Sequence, residues 1–364
     1  MSLLNDPRIV LTLDAGGTTF VFNAVQGGKE LLEPLRQPSM ADDLPACLEN
    51  MRSGFAQVHE ATGKKAVAIS FAFPGPADYA AGIIGDLGNL PAFRGGVALG
   101  PMLADHFGLP VFLNNDGDLF AYGEALGGLL PWVNDQLEAA GSPKRYRHLI
   151  GATFGTGFGG GLVHDGRLVR GDNGAAGEVW LLRHRDARDC FAEEGVSIRA
   201  VRRVYAETAK MPFAEVPEPK VLAERASTGD AAAQIAFATL GRVAGDAIAN
   251  ALTLFDGLVV IGGGLSGAAP FFLPSLISEL NGSLHAIDGH PVDRLESKAF
   301  NLEDRQGFDA FIKGDLRHVP VPGSSYTVPY DPMKRTGVGL SRLGTNAAVS
   351  LGAYAFALGE LDRS

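Results

Sequence analysis

The sequence predicts an α/β protein built from two similar lobes. Two observations carry this. The apolar run Ile9–Leu13 meets the polar turn Asp14-Ala15-Gly16-Gly17-Thr18-Thr19 and continues into the apolar Phe20–Val25. Far along the chain Leu149–Phe154 meets Gly155-Thr156-Gly157-Phe158-Gly159-Gly160-Gly161 and continues into Leu162-Val163. Each is strand, glycine turn, strand, and the two stand in opposite halves. Between them, helical apolar spacings alternate with buried-strand runs, as an α/β architecture requires.

Composition narrows the function classes. The 48 glycines are dispersed between apolar runs, which indicates many tight turns and close backbone approaches. A net charge of −10 leaves no basic footprint for nucleic acid, so no nucleic-acid partner is expected. The two cysteines, Cys47 and Cys190, have no metal-ligand spacing and read as reduced thiols. Residues 1–7 carry no charged-then-apolar leader, and Gly or Asp breaks each apolar run before it reaches spanning length. A cytoplasmic protein with no membrane partner is expected.

In chain order, the strand pair of residues 8–25 is followed by a third strand near 29–36. Leu44, Leu48, Met51, Phe55 and Val58, at spacings of three and four, predict an amphipathic helix over 42–62. The run 66–73 is a buried strand, ended by Pro74-Gly75-Pro76 at the edge where open sheets bind ligands. A helix over 98–107 and a strand at 111–113 then deliver Asn114-Asn115-Asp116-Gly117-Asp118 ahead of a helix through 119–126. Asp116, at a strand end just before a helix, suits either an N-cap or a general base.

Beyond the second glycine turn, helices are predicted over 198–210 and, in two pieces broken near Gly229-Asp230, over 223–254. The core strand Leu258–Ile261 runs into Gly262-Gly263-Gly264, and a helix begins at Pro270. Residues 281–340 lack helical periodicity and read as an elaborated loop or small subdomain, before a final helix over 346–361. The expected lobes are 8–125, completed by 346–361, and 126–340.

The glycine turns can be plain tight turns, or nests of N–H groups that favour phosphate oxygens. Their order favours the second. Asp14-x-Gly-Gly-Thr-Thr, Pro74-Gly-Pro, Asn89-Leu-Pro, Asn115-Asp116, Gly155-Thr-Gly-x-Gly-Gly-Gly, Ala176-Gly177-Glu178 and Ile261-Gly-Gly-Gly264 together resemble the ROK family of sugar kinases, in the actin and hexokinase superfamily. The resemblance runs from Leu11 to Leu265, fades over 281–340 and resumes weakly in the last helix. It implies two ribonuclease-H-like lobes with a cleft between them. With only a handful of residues before Ile9, the kinase branch is expected and not the DNA-binding repressors.

The resemblance implies ATP and magnesium as cofactors and a hexose as substrate. Gly16, Gly17 and Thr18 would hold the terminal phosphates, and Asp14 would hold magnesium through water. Gly155, Thr156 and Gly157 would cradle the phosphates from the other lobe, and Gly262, Gly263 and Gly264 would let adenine and ribose lie on the backbone. Asp116 would be the general base, with Asn89, Asn115, Glu178 and Glu193 binding sugar hydroxyls. Glu193 reads equally as a solvated charge, and Glu194 is adjacent.

Departures from the family pattern matter. Leu181 stands where members commonly carry a histidine that touches sugar and zinc, and Cys190 replaces a cysteine triplet, so no structural zinc is expected. Asp118 stands where asparagine is usual and could share the role of base. The expected reaction is phosphorylation of the 6-hydroxyl of glucose or a related aldohexose. Fructose and N-acetylhexosamines are the alternatives within the family, and a sugar- and nucleotide-binding regulator without turnover is the alternative of another class. The assembly is left open, with a homodimer among the choices.

Overall fold

The computed structural model describes residues 5–88 and 90–363. The chain divides into two compact units, one comprising residues up to Gly127 with Leu168–Ala176 and the C-terminal segment from Leu343, the other Gly128–Arg167 with Gly177–Arg342. No described helix is long and apolar enough to cross a membrane.

In the first unit, strands Ile9–Ala15 and Thr19–Gln26 form an antiparallel hairpin closed by the 14–19 turn. Strand Ala66–Ala72 pairs parallel to the first, and Val111–Asn114 parallel to that in turn. The registers place Asp14 opposite Ala72, and Ala72 opposite Asn114. Three carboxyl ends of parallel strands therefore finish level, where open sheets bind ligands. The third strand expected at 29–36 is split into Lys29–Glu30 and Leu35–Pro38, both on the hairpin's outer strand.

Helix Leu44–Ala61 starts where Asp43 accepts the Ala46 N–H at 3.1 Å, with proline in its first turn. It buries Met51, Phe55 and Val58 in a core shared with Phe22, Phe71 and Phe73 from the sheet. Helix Asp116–Gly127 crosses the C-terminal helix Thr345–Leu361 so closely that a Cβ on Gly123 would strike the Ala348 carbonyl, and one on Gly352 the Leu119 carbonyl. Small residues fix this crossing and hold Asp116 at the mouth of the helix.

The second unit repeats the scheme. His148–Phe154 and Phe158–His164 form the antiparallel hairpin, Leu258–Gly262 adds parallel to the first strand, and Arg335–Leu340 and Lys298–Asn301 continue the sheet in parallel. Helices Ile198–Ala209, Ala231–Phe255 and Ala269–Leu280 pack on it around Phe237, Phe272 and Leu240. Helix Leu129–Ala139, which the periodicity reading did not resolve, leads into this unit.

Residues 281–340 differ from the expected loop or subdomain. They contain two small hairpins, helix Arg305–Lys313 and two strands of the main sheet. The strand Arg335–Leu340 is hidden in sequence because it opens on an arginine and alternates with Gly337 and Gly339. Arg335 is nonetheless 2% exposed, its charge met by Asp331 at 2.6 Å and its Nε donating to the Phe311 carbonyl at 2.7 Å. A buried cation is tolerated when it is paired and hydrogen-bonded in this way.

Candidate active site

In the first unit, Asp14, Gly16, Gly17 and Asp116 line one cavity of about 520 Å³ at the level strand ends, with Arg36 and Asn346 on its walls. The 14–19 turn is closed internally. The Gly16 N–H donates to the Thr19 carbonyl at 3.1 Å, the Ser39 hydroxyl donates to the Gly17 carbonyl at 2.6 Å, and the Ser39 N–H donates to the Thr18 carbonyl at 3.0 Å. With these carbonyls occupied by the protein, the turn offers few lone pairs to repel an anion. Gly16 spends its own N–H on the turn, which leaves Gly17 and Thr18 as the backbone donors of the expected trio. Ser39, fully buried and 21 positions beyond Thr18, carries no signal in the sequence.

Asn115 and Asp116 divide the two roles that position alone left open. The Asn115 Oδ1 accepts the Gly117 N–H at 2.8 Å and so caps helix 116–127, although Asp116 Oδ1 also accepts that N–H, at 2.9 Å. The Asp116 carboxylate faces the cavity with Asp14. Burial pushes its proton affinity up, the Gly117 N–H opposes this, and the negative charge of Asp14 raises it further. Asp116 is reachable by water from the cavity yet ringed closely by protein atoms, and the ring of atoms governs its charge state. Asp14 is likewise pushed up by burial, with Arg36 pulling the other way.

Asp118 does not line that cavity. It is buried and lines a neighbouring one of about 340 Å³ with Asn114, Asp78, Arg170 and Asn173. Asn114 is 1% exposed, and neither its side-chain oxygen nor its nitrogen has a partner among the described residues. A buried amide lacking both partners marks a place for a hydroxyl-bearing ligand or water. Asn114 and the 170–173 segment were not singled out from sequence, since asparagine before Asn115-Asp116 looks like turn chemistry. Asn89 lies outside the described residues.

In the second unit the two glycine turns are neighbours, because the strands that deliver them pair in parallel. A Cβ on Gly155 would lie 3.8 Å from the Gly264 nitrogen. Gly263 has φ +88° and a Cβ there would strike the Phe154 backbone, so glycine is required on both counts. Thr156 is exposed at the tip of its turn. The base of that turn is gripped by Glu193, whose Oε2 accepts the Phe158 N–H at 3.0 Å, and by the Ile198 N–H, which donates to the Gly155 carbonyl at 2.8 Å.

Glu194 is committed elsewhere, to ion pairs with Arg199 and with Arg203 at 2.7 Å. Hydrogen bonding from Arg203 holds its carboxyl below the usual range against the effect of burial, with Arg199 adding to it. Glu178 accepts the indole N–H of Trp180. Thus Asp14 to Thr18, Asn115 and Asp116 belong to the first unit, and Gly155 to Gly157, Glu178, Glu193 and Gly262 to Gly264 to the second.

The profile of the ROK family matches residues 10–308. This chain belongs to the ROK family. It is 53% identical to a glucokinase from Parabacteroides distasonis of known structure, over 99% of both chains with a TM-score of 0.89. It is 28% identical to the glucokinase of Thermotoga maritima over 283 residues, 72% of this chain and 84% of that protein. A ROK family glucokinase from Streptomyces griseus, solved with glucose and AMPPNP, is 20% identical over 95% of this chain and 98% of its own, with a TM-score of 0.61, a likeness of fold. The fold is the α/β, actin- and hexokinase-type architecture.

Leu181 closes the short turn Val179–Leu181 that follows Glu178, and it is 58% exposed. Nearby, Cys190 is an exposed free thiol and His184 accepts the Asp186 N–H through Nδ1 at 3.1 Å. Among the described residues no three His, Cys, Asp or Glu side chains gather as a metal-holding group.

Proposed function

We propose that this ROK protein transfers the terminal phosphoryl group of ATP to a hexose, with the 6-hydroxyl of glucose or a related aldohexose as acceptor and Asp116 as general base. The observation that carries the reading is one cavity holding two roles: Asp116 with raised proton affinity, and Asp14 at the glycine turn. Phosphoryl transfer depends on positioning and charge neutralisation more than on covalent help from the protein. The sugar oxygen attacks the terminal phosphorus, its proton passes to the Asp116 carboxylate, and ADP leaves. Raised proton affinity suits Asp116 for accepting that proton near neutral pH.

Asp14 fits a magnesium ion held through water. Two carboxylates sharing a cavity, only partly balanced by Arg36, leave a negative charge that a divalent cation would relieve. When bound, magnesium supplies charge neutralisation for the phosphates. Gly17 and Thr18 would contact the phosphates from one unit, and Gly155, Thr156 and Gly157 from the other. Gly262 to Gly264, next to Gly155, would carry the adenosine. Asn89, Asn115, Glu178 and Glu193 are the proposed sugar contacts, and Asn114 joins them because its amide lacks partners. Glu193, already anchoring Phe158, would link sugar contact to the phosphate turn.

The glucokinases from Parabacteroides distasonis and Thermotoga maritima favour glucose, and the glucose and AMPPNP held by the Streptomyces griseus relative match the expected ligands. The test is ADP release measured across glucose, mannose, fructose and N-acetylglucosamine with ATP and magnesium. Sugar-dependent ADP release, strongest with an aldohexose, is expected. Binding of sugar and nucleotide with no turnover on any acceptor would favour a regulator.

A further inference from the structure

The cavity that holds Asp14 and Asp116 has a third carboxylate in its lining, Glu30, and Arg36 is the one Lys or Arg among its lining residues. The position of Arg36 is set by the sheet. Strand Leu35–Pro38 pairs antiparallel with Thr19–Gln26, and Arg36 stands opposite Val21. Successive strand residues face opposite sides. Phe20, Phe22 and Leu35 pack in the core, so Val21 and Arg36 share the other face, and both line the cavity. Just beyond this strand, Ser39 holds the Gly17 carbonyl at 2.6 Å and the Thr18 carbonyl at 3.0 Å. The segment carrying Arg36 is thereby tied to the glycine turn.

The guanidinium itself is uncommitted. Among the described residues it makes no hydrogen bond and no ion pair, and Arg36 is exposed. Its charge nonetheless reaches Asp14, pulling down a proton affinity that desolvation raises. Arg8, Arg203 and Arg335, by contrast, are each paired with a carboxylate. Thr345 and Asn346 bring the first turn of helix Thr345–Leu361 to the same cavity, and the positive end of that helix favours an anion there. A nucleoside triphosphate entering among three carboxylates would meet one side-chain cation, and its donors are free.

We propose that Arg36 is a catalytic residue of the phosphoryl transfer, its guanidinium donating to oxygens of the terminal phosphate of ATP at the Gly17 and Thr18 turn. This rests on the kinase reading of the site. In the step, the bond from the sugar oxygen to phosphorus forms, the bond from phosphorus to the ADP oxygen breaks, and the hydroxyl proton passes to Asp116. Arg36 stays protonated throughout and offsets the charge on the oxygens of the transferred group. A guanidinium suits the task because its planar fork meets two phosphate oxygens at once.

The test compares wild type, Arg36→Met and Arg36→Lys in steady-state turnover with glucose, and in calorimetric binding of AMPPNP and of ADP with magnesium. Arg36→Met should lower kcat roughly a hundred- to a thousandfold, the scale of one lost donor to developing charge, and leave the KM for glucose nearly unchanged. Its affinity for AMPPNP should fall roughly tenfold while that for ADP, which lacks the terminal phosphate, holds. Arg36→Lys, which returns the charge without the fork, should lie between. Millimolar guanidinium should restore part of the lost turnover to Arg36→Met, a rescue that a merely structural role would not give. Because Arg36 is exposed, the unfolding midpoint should stay within about 2 °C of wild type. Wild-type kcat in Arg36→Met, or equal weakening of AMPPNP and ADP, would overturn the proposal. Absence of sugar-dependent ADP release in the wild type would defeat the kinase reading instead, and the two nucleotide affinities would still judge Arg36.

Discussion

The Glu193 carboxylate accepts the Phe158 N–H at 3.0 Å, and a Cβ on Gly157 would lie 2.6 Å from the same oxygen. The glutamate is thus packed into the base of the glycine turn, and any sugar contact it makes is made from that anchored position. Glu193→Ala should cost about 1–3 kcal/mol of stability, because Phe158 is buried and its N–H would lose its acceptor. Glu193→Gln, which keeps an acceptor oxygen, should retain most of that stability. The check is thermal unfolding of both variants beside their KM values for sugar and ATP. Equal losses in the two would show that the anchoring hydrogen bond is unimportant.

Asp116 carries a stability consequence of the opposite kind. Its folded proton affinity is raised, so between the ordinary carboxylate value and the raised one the folded state binds more protons than the unfolded state. Stability from this group is therefore full at low pH and is lost as pH rises through the folded value. Asp116→Asn should raise the melting temperature at pH 8 and give little or no gain at pH 3.5. Since Asp14 contributes to the shift, Asp14→Asn should lower the midpoint of the Asp116 carboxyl titration in metal-free protein, read by carbon NMR. An unmoved midpoint would show that the two carboxylates do not sense each other.

The pair Asp331 and Arg335 holds the opening of the strand 335–340. Burial opposes ionisation of Asp331, but hydrogen bonds from Arg335 and from the Asp315 and Met333 N–H groups outweigh it and keep its proton affinity low. Its contribution is present above the ordinary carboxylate value and fades as pH falls through the depressed one. Arg335→Ala, which strands a buried carboxylate, should cost about 3–5 kcal/mol at neutral pH. Denaturant titration measures it, and a loss below 1 kcal/mol would contradict the pairing.

Gly263→Ala should destabilise the protein by about 1–2 kcal/mol from its left-handed backbone alone, and more from the clash with Phe154. Chemical unfolding and the Kd for ATP would both register it. A fully stable variant with unchanged nucleotide affinity would remove Gly263 from the proposed adenosine platform.

What the sequence made legible was what local chemistry dictates. Both hairpins, around Asp14–Thr19 and Gly155–Gly157, appear where apolar runs flank glycines, and helix 44–61 follows its spacing. Interactions between distant segments were not legible. Ser39 braces the first turn from a position with no pattern around it, and Glu193 and Glu194 are separated by their partners alone, Phe158 for one and Arg203 for the other. The strand 335–340 was hidden because Asp331 and Phe311 make a buried arginine tolerable there, which periodicity cannot register.

If Asp116 removes the proton from the sugar hydroxyl, turnover of Asp116→Asn, measured beside its affinity for the sugar and with Asp118→Asn as the companion variant, reports on that step. Asparagine keeps the shape and one acceptor, so sugar affinity should stay within severalfold while turnover falls by roughly two to four orders of magnitude. Asp118, buried by a neighbouring cavity with Asn114, should give a smaller loss of turnover when changed. Near-wild-type turnover in Asp116→Asn together with an inactive Asp118→Asn would contradict the assignment and move the base to Asp118.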